Sequence, residues 1–306
     1  MRWVRVLLAA AAVAVLGAFI WRADNYQLYV LALVGLTAIV GIGLNVLLGL
    51  SGQISLGHVA FYAIGAYVVG ILTTKTGIGF WMAFPLAGLI AGVAGALLAV
   101  PALRVRGPYL AMVTIAFGFI VEQGAAELGW LTGGWNGLIG IPTPTLVGRK
   151  FAEREIAVLV LVLTAAAFWL YARLQSGPWG KAMRAVRDSE VASQSIGLDP
   201  TLMRTVAFAI SAAATGVAGI MVAPLFTISS TMGTLFGIKA FAVAILGGIG
   251  SAWGVVLAGL IYGLAEALIT ALLGSIYTQI VTFGLVIVSL TLMPNGLFGR
   301  AEVRKV

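Results

Sequence analysis

Apolar runs of near-spanning length recur along this chain, and about twenty such residues in a helix cross the ~30 Å hydrocarbon core of a bilayer. They fall at about 6–21, 27–48, 58–74, 81–103, 109–128, 155–173, 205–223, 234–250, 252–273 and 276–293. Backbone polar groups in hydrocarbon must be satisfied within the segment, so these runs are read as helices. The expected architecture is an all-α, polytopic bundle of about ten spans forming a single transmembrane domain over residues 1–306. The runs near 58 and 234 are short, and the GGIG end of the second leaves a re-entrant segment as its alternative. Met1 to Trp21 opens like a secretory signal, but no small-x-small cleavage site precedes Arg22, so a first span is expected there.

Composition narrows the function. The chain is 61% hydrophobic and 9% charged, against ~25% charged in soluble domains. It has no cysteine and one histidine, His58, which excludes disulfides, thiolate chemistry and a self-contained zinc site. No metal and no cofactor bound by this chain is expected. The net charge of +8 is dispersed at the ends of apolar runs, the pattern of membrane topology and not of a nucleic-acid surface. With ten spans and a cytoplasmic N-terminus, Arg2, Arg5, Arg104, Arg106, Arg173, Lys181, Arg184, Arg187, Arg204, Arg300, Arg304 and Lys305 lie inside. Arg22, Lys75, Arg149, Lys150 and Arg154 lie outside, and the excess of basic residues inside favours two cytoplasmic termini.

Three interruptions carry the candidate chemistry. GLSGQISLGH, Gly49 to His58, sets Gly49, Gly52 and Gly57 among the polar Ser51, Gln53, Ser55 and His58 between two apolar runs. Non-helical backbone at membrane depth survives only where protein or a water-filled cavity satisfies it. The stretch, with Asn45 just before it, is a candidate lining of a substrate pathway; a cytoplasmic turn fits the pattern equally. An outer loop, 129–154, is rich in glycine and proline, and its Trp130 and Trp135 suit an interfacial belt. A cytoplasmic loop, 174–204, holds an interrupted amphipathic helix. Pro178 opens it, and Trp179, Met183 and Val186 share a face. Asp188 is expected to cap a second segment, Glu190 to Ile196, stopped by Gly197, with Asp199 and Pro200 restarting the next span. A plain surface helix on the headgroups is the alternative.

Glu122, Lys239 and Glu266 fall within spans, where a charge costs at least ~2.5 kcal/mol and should face the bundle interior or a partner. A structural pair between Lys239 and one of the carboxylates is favoured over a proton relay. Pairs such as Gly88 with Gly92, Gly250 with Gly254 and Gly259 with Gly263 fit ordinary close helix packing.

A resemblance adds what spacing cannot. Asn45 to Tyr67, Leu103 to Gly118, Thr132 to Pro142, Gly180 to Pro200, Leu246 to Gly254 and Pro294 to Arg300 resemble, in order and across nearly the whole chain, the LivM-type permeases of bacterial branched-chain amino-acid ABC importers. The resemblance implies a multi-pass protein of the bacterial inner membrane. Its implied partners are a homologous H-type permease, two cytoplasmic ATPase subunits, an external substrate-binding protein and membrane lipid. It also implies an ATPase-coupling segment carried by Trp179, Met183, Arg187, Glu190, Ala192 and Gly197, with Val191 where the family's loop motif has a second alanine. The chain lacks a GxxxxGK[ST] nucleotide loop, so it is not expected to be an enzyme, and ATP would be used by the partner subunits. Related permeases for urea, short amides or a sugar share several of these patterns. A secondary transporter or channel that depends on Glu122 or Glu266 is the rival of another class.

Overall fold

The computed structural model describes residues 17–274 apart from 106, 147, 226 and 249, and individual residues between 277 and 297. The predicted span at 6–21 lies mostly outside the described residues, and that at 276–293 is described only at isolated positions. Among the described residues, the long helices are α1 (Asn25–Asn45), α2 (Val59–Lys75), α3 (Phe80–Ala102), α4 (Pro108–Glu127), α5 (Glu153–Ser176), α8 (Pro200–Ile220), α9 (Met232–Gly247) and α10 (Ala252–Leu273). Two short helices, α6 (Pro178–Asp188) and α7 (Glu190–Ser195), fill the predicted cytoplasmic loop. Among the described residues, six helices are long and apolar enough to cross a membrane by length and composition, whereas α2 is apolar but shorter.

The helix starts follow from local chemistry. The Asp24 carboxylate accepts the N–H of Gln27 at 2.8 Å while the Gln27 amide oxygen accepts the N–H of Asp24, a reciprocal cap for α1. Asp199 accepts the N–H of Thr201 at 2.8 Å, and Pro200 occupies the first turn of α8. This is the predicted cap, and it starts the helix five residues before the apolar run at 205. The cap of α7 differs from expectation. Ser189 accepts the N–H of Ala192 at 3.3 Å, while Asp188 ends α6 and pairs with Arg187.

Helix α1 sits at the centre, with 83% of its most apolar stretch buried, and α4 is peripheral at 22%. Around α1 the packing depends on small residues. A Cβ placed on Gly219 of α8 would lie 1.9 Å from the Tyr62 carbonyl of α2, and one on Gly65 would lie 2.2 Å from the Gly216 carbonyl. The two backbones therefore approach closer than any larger residue allows. Gly92 of α3 faces Ala213 of α8, and Gly263 of α10 faces Val34 of α1, as ordinary helix packing predicts. Gly250 is different: it lies before α10 at φ +84°, so it shares no helix face with Gly254. The opposite side of α3 exposes Met82, Leu89, Val93 and Leu97, the apolar face a bilayer would solvate.

The predicted outer loop forms a one-turn helix at Gly129–Thr132, a 3-10 turn at Gly134–Asn136, and a hairpin of β1 (Thr145–Leu146) and β2 (Arg149–Lys150). Trp130 and Trp135 are exposed, and Lys75 donates to the Trp130 carbonyl.

Candidate transport site

The helical path does not break at Gly49. It continues from α1 through a π-helical turn, Val46–Ser51, and stops at Gly52, whose φ of +69° places it in the left-handed region. The Gln53 N–H still reaches the Leu47 carbonyl at 3.0 Å, after which the chain runs non-helically to the turn before α2. A π turn widens the helix and leaves backbone groups offset from the regular ladder, a distortion frequent at functional sites.

Groups distant in sequence meet this stretch and its neighbours at several points. The Leu56 N–H donates to Thr114 Oγ1 of α4 at 3.1 Å. The Asn45 side-chain oxygen accepts the Gly250 N–H at 2.7 Å, and Gln175 at the end of α5 donates to the Gly250 carbonyl at 3.1 Å. The Gly49 carbonyl accepts from Arg187 Nη1 at 2.6 Å. A Cβ on Gly52 would lie 2.5 Å from Arg187 Cγ, so the arginine stem lies directly on that glycine. The predicted pathway segment and the predicted coupling segment therefore meet, and the meeting point is Arg187.

Asn45, Ser51, Gln53, Ser55 and His58 are all buried. His58 Nε2 is 2.8 Å from Ser211 Oγ of α8, and that hydroxyl donates to the Gly43 carbonyl. Ser211 must then accept from the imidazole, which assigns the proton to Nε2 and leaves Nδ1 as an acceptor. Nδ1 has no hydrogen-bond partner among the described residues, nor do Asn45 Nδ2, both polar atoms of the Gln53 side chain or Ser55 Oγ. Buried polar atoms are ordinarily paired. This concentration of unpaired donors and acceptors within one turn-rich segment makes it a polar site inside an apolar bundle. Single Gln53→Ala and Ser55→Ala substitutions are expected to lower solute uptake more than the amount of assembled protein. Normal transport by both variants, or a loss explained by assembly alone, would remove these two side chains from the pathway.

The segment predicted to couple to an ATPase folds only partly as anticipated. Gly180, Met183 and Val186 form the buried face of α6, whereas Trp179 is 48% exposed. Val191 and Ile196 are also exposed, at 79% and 72%. Glu190 pairs with Arg204 of α8 at 3.0 Å, and Ala192 supplies the N–H capped by Ser189. Gly197 has φ +84°, and a Cβ added to it would meet no atom within 4 Å. A side chain there would face backbone strain, not crowding within this chain.

Of the charges expected within spans, Lys239 of α9 pairs with Glu266 of α10. Both side chains are mostly enclosed, at 23% and 26% exposure. Glu122 lies elsewhere, on a groove between α2, α4 and α9. Sequence reasoning missed Thr114, Gln175 and Ser211. Each lies within an otherwise ordinary apolar or loop context, and Thr114 and Ser211 meet the broken segment across 58 and 153 residues.

The apolar helices, the broken buried segment and the surface helices beneath it define a multi-pass membrane protein of the permease type. Residues 26–290 match the family described as branched-chain amino acid transport system / permease component, and the chain belongs to that family. It is 38% identical over 285 residues to the high-affinity branched-chain amino acid transport system permease protein LivM of Salmonella typhimurium, covering 85% of this chain and 67% of the relative. It is 30% identical over 304 residues to the corresponding protein BraD of Pseudomonas aeruginosa, covering 88% and 93%. A shorter similarity, 37% over 152 residues, links it to the permease protein LivH of Escherichia coli, covering 49% of this chain and 48% of that one.

Proposed function

We propose that this chain is one of two permease subunits of an ATP-driven importer that carries branched-chain amino acids inward across the cytoplasmic membrane. Its permease partner is a homologous H-type chain. Two cytoplasmic ATPases bind and hydrolyse ATP, and an external binding protein delivers the solute. The permease itself uses no cofactor. Membership of the family carries this reading, and contact between Arg187 and Gly49 supports it by giving a docked ATPase a direct mechanical route to the broken segment. Trp179, Val191 and Ile196 offer exposed apolar contacts beside that route. ATP-driven closure of the ATPases would move α6 and α7, and the bundle would alternate between outward- and inward-open states.

In this reading the chain has ten spans with both termini cytoplasmic, an arrangement supported by the basic loop around Lys181 and Arg184. The sequence has no native cysteine to interfere with labelling. Ala185→Cys and Val303→Cys are expected to react with an impermeant thiol reagent only from the inner side. Labelling of either from outside intact cells would overturn the topology. Affinity purification of the tagged permease from its host is expected to bring down a second permease and two ATPases. Recovery of the active chain without them would overturn the subunit assignment.

A further inference from the structure

The groove between α2, α4 and α9 has a volume of about 290 Å³ and combines an apolar lining with one carboxylate. Leu56, Ala60, Phe119 and Gly237 contribute apolar or small surfaces, and buried Ser230 contributes a hydroxyl. Glu122 is the one ionisable side chain among the described residues lining it. The groove lies just below the ~300–1,000 Å³ typical of ligand sites, which suits an amino-acid-sized solute better than an oligosaccharide.

Its chemistry has a direction. The amino end of α2 opens on one wall through Leu56, Gly57 and Val59, and a helix amino end carries partial positive charge. Glu122 lies one helical turn from Phe119 on the α4 wall. Glu122 sets a carboxylate among mostly apolar lining residues, so the groove offers an anionic group to a cationic one and an apolar surface to a side chain. Close packing sets one edge of the groove: a Cβ on Gly237 would lie 1.6 Å from Val59 Cγ2, so glycine is what lets α9 approach α2 this closely.

We propose that this groove is a transient subsite for an aliphatic amino acid during translocation, with Glu122 receiving its α-ammonium group and the apolar wall receiving its side chain. The proposal rests on the importer reading above. In the complete importer, reconstituted in proteoliposomes with its binding protein, Glu122→Gln is expected to reduce leucine uptake about ten-fold or more, while ATP turnover without substrate persists and Glu122→Asp retains intermediate uptake. A second measurement uses Phe119→Cys in the cysteine-free chain, at an exposed position lining the groove. Leucine-loaded binding protein with ATP is expected to slow reaction of that thiol with a cationic methanethiosulfonate reagent.

Leucine uptake by Glu122→Gln at the wild-type rate would overturn the subsite. If that variant does not assemble, Phe119→Cys decides the matter: protection by leucine supports the subsite, and equal reactivity with and without leucine overturns it in favour of a groove covered by the second permease. Failure of the intact wild-type importer to take up leucine would instead defeat the importer reading, and the subsite with it.

Discussion

Arg187→Ala is expected to leave the permease inserted and assembled while reducing substrate uptake about ten-fold or more and dissociating it from ATP turnover. Arg187 makes a 2.6 Å charge-assisted hydrogen bond to the Gly49 carbonyl and lies against Gly52, where the helical path ends. Hydrogen bonds to charged groups contribute about 1.5–3 kcal/mol, enough to account for this loss if the bond is needed to transmit each stroke. Met183 and Val186 are buried and untouched by the substitution, so α6 is expected to remain docked on the bundle. Arg187→Lys is expected to restore only part of the uptake. Its single ammonium cannot reproduce the fork that bonds Gly49 while also meeting Asp188 at 3.0 Å. Parallel assays of leucine uptake and ATP hydrolysis check the result. Wild-type coupling in Arg187→Ala would show that α6 moves the bundle through another contact.

Gly57→Val is expected to abolish the folded permease. A Cβ at Gly57 would lie 1.5 Å from the Thr114 carbonyl oxygen, a backbone atom that no rotamer change can move. Accommodating valine requires α4 to separate from the broken segment, which also breaks the bond between Leu56 N–H and Thr114 Oγ1. Overpacking alone costs about 1–3 kcal/mol and more where backbone must shift. Gly124→Ala provides the control, because no atom lies within 4 Å of the added carbon. Thermal unfolding in detergent should place Gly124→Ala close to wild type and leave no cooperative transition for Gly57→Val. A stable Gly57→Val protein would mean that α4 does not pack on this segment.

The helices were legible because hydrocarbon length and backbone satisfaction constrain them strongly. The Asp199–Pro200 start of α8 was equally clear from local chemistry. The stop at Gly52 was not, because a π turn carries the helix through Gly49 without a distinct sequence signal. Trp179 shares a sequence face with Met183 and Val186, yet only the latter two face the bundle. Position at the helix entrance outweighs periodicity there. Lys239 had two carboxylates within reach of a sequence argument, and the adjacency of α9 and α10 decides for Glu266. The contact between Arg187 and Gly49 spans 138 residues, so no local pattern could have disclosed it.

ATP dependence tests the central assignment most directly. Proteoliposomes containing this permease, its H-type companion, both ATPases and the external binding protein should accumulate leucine, isoleucine or valine only when ATP is enclosed on the ATPase side. The permease reconstituted alone should accumulate none. Uptake by the permease alone, driven by an ion gradient and unaffected by ATP or by the companion subunits, would contradict the account and identify a self-sufficient secondary transporter.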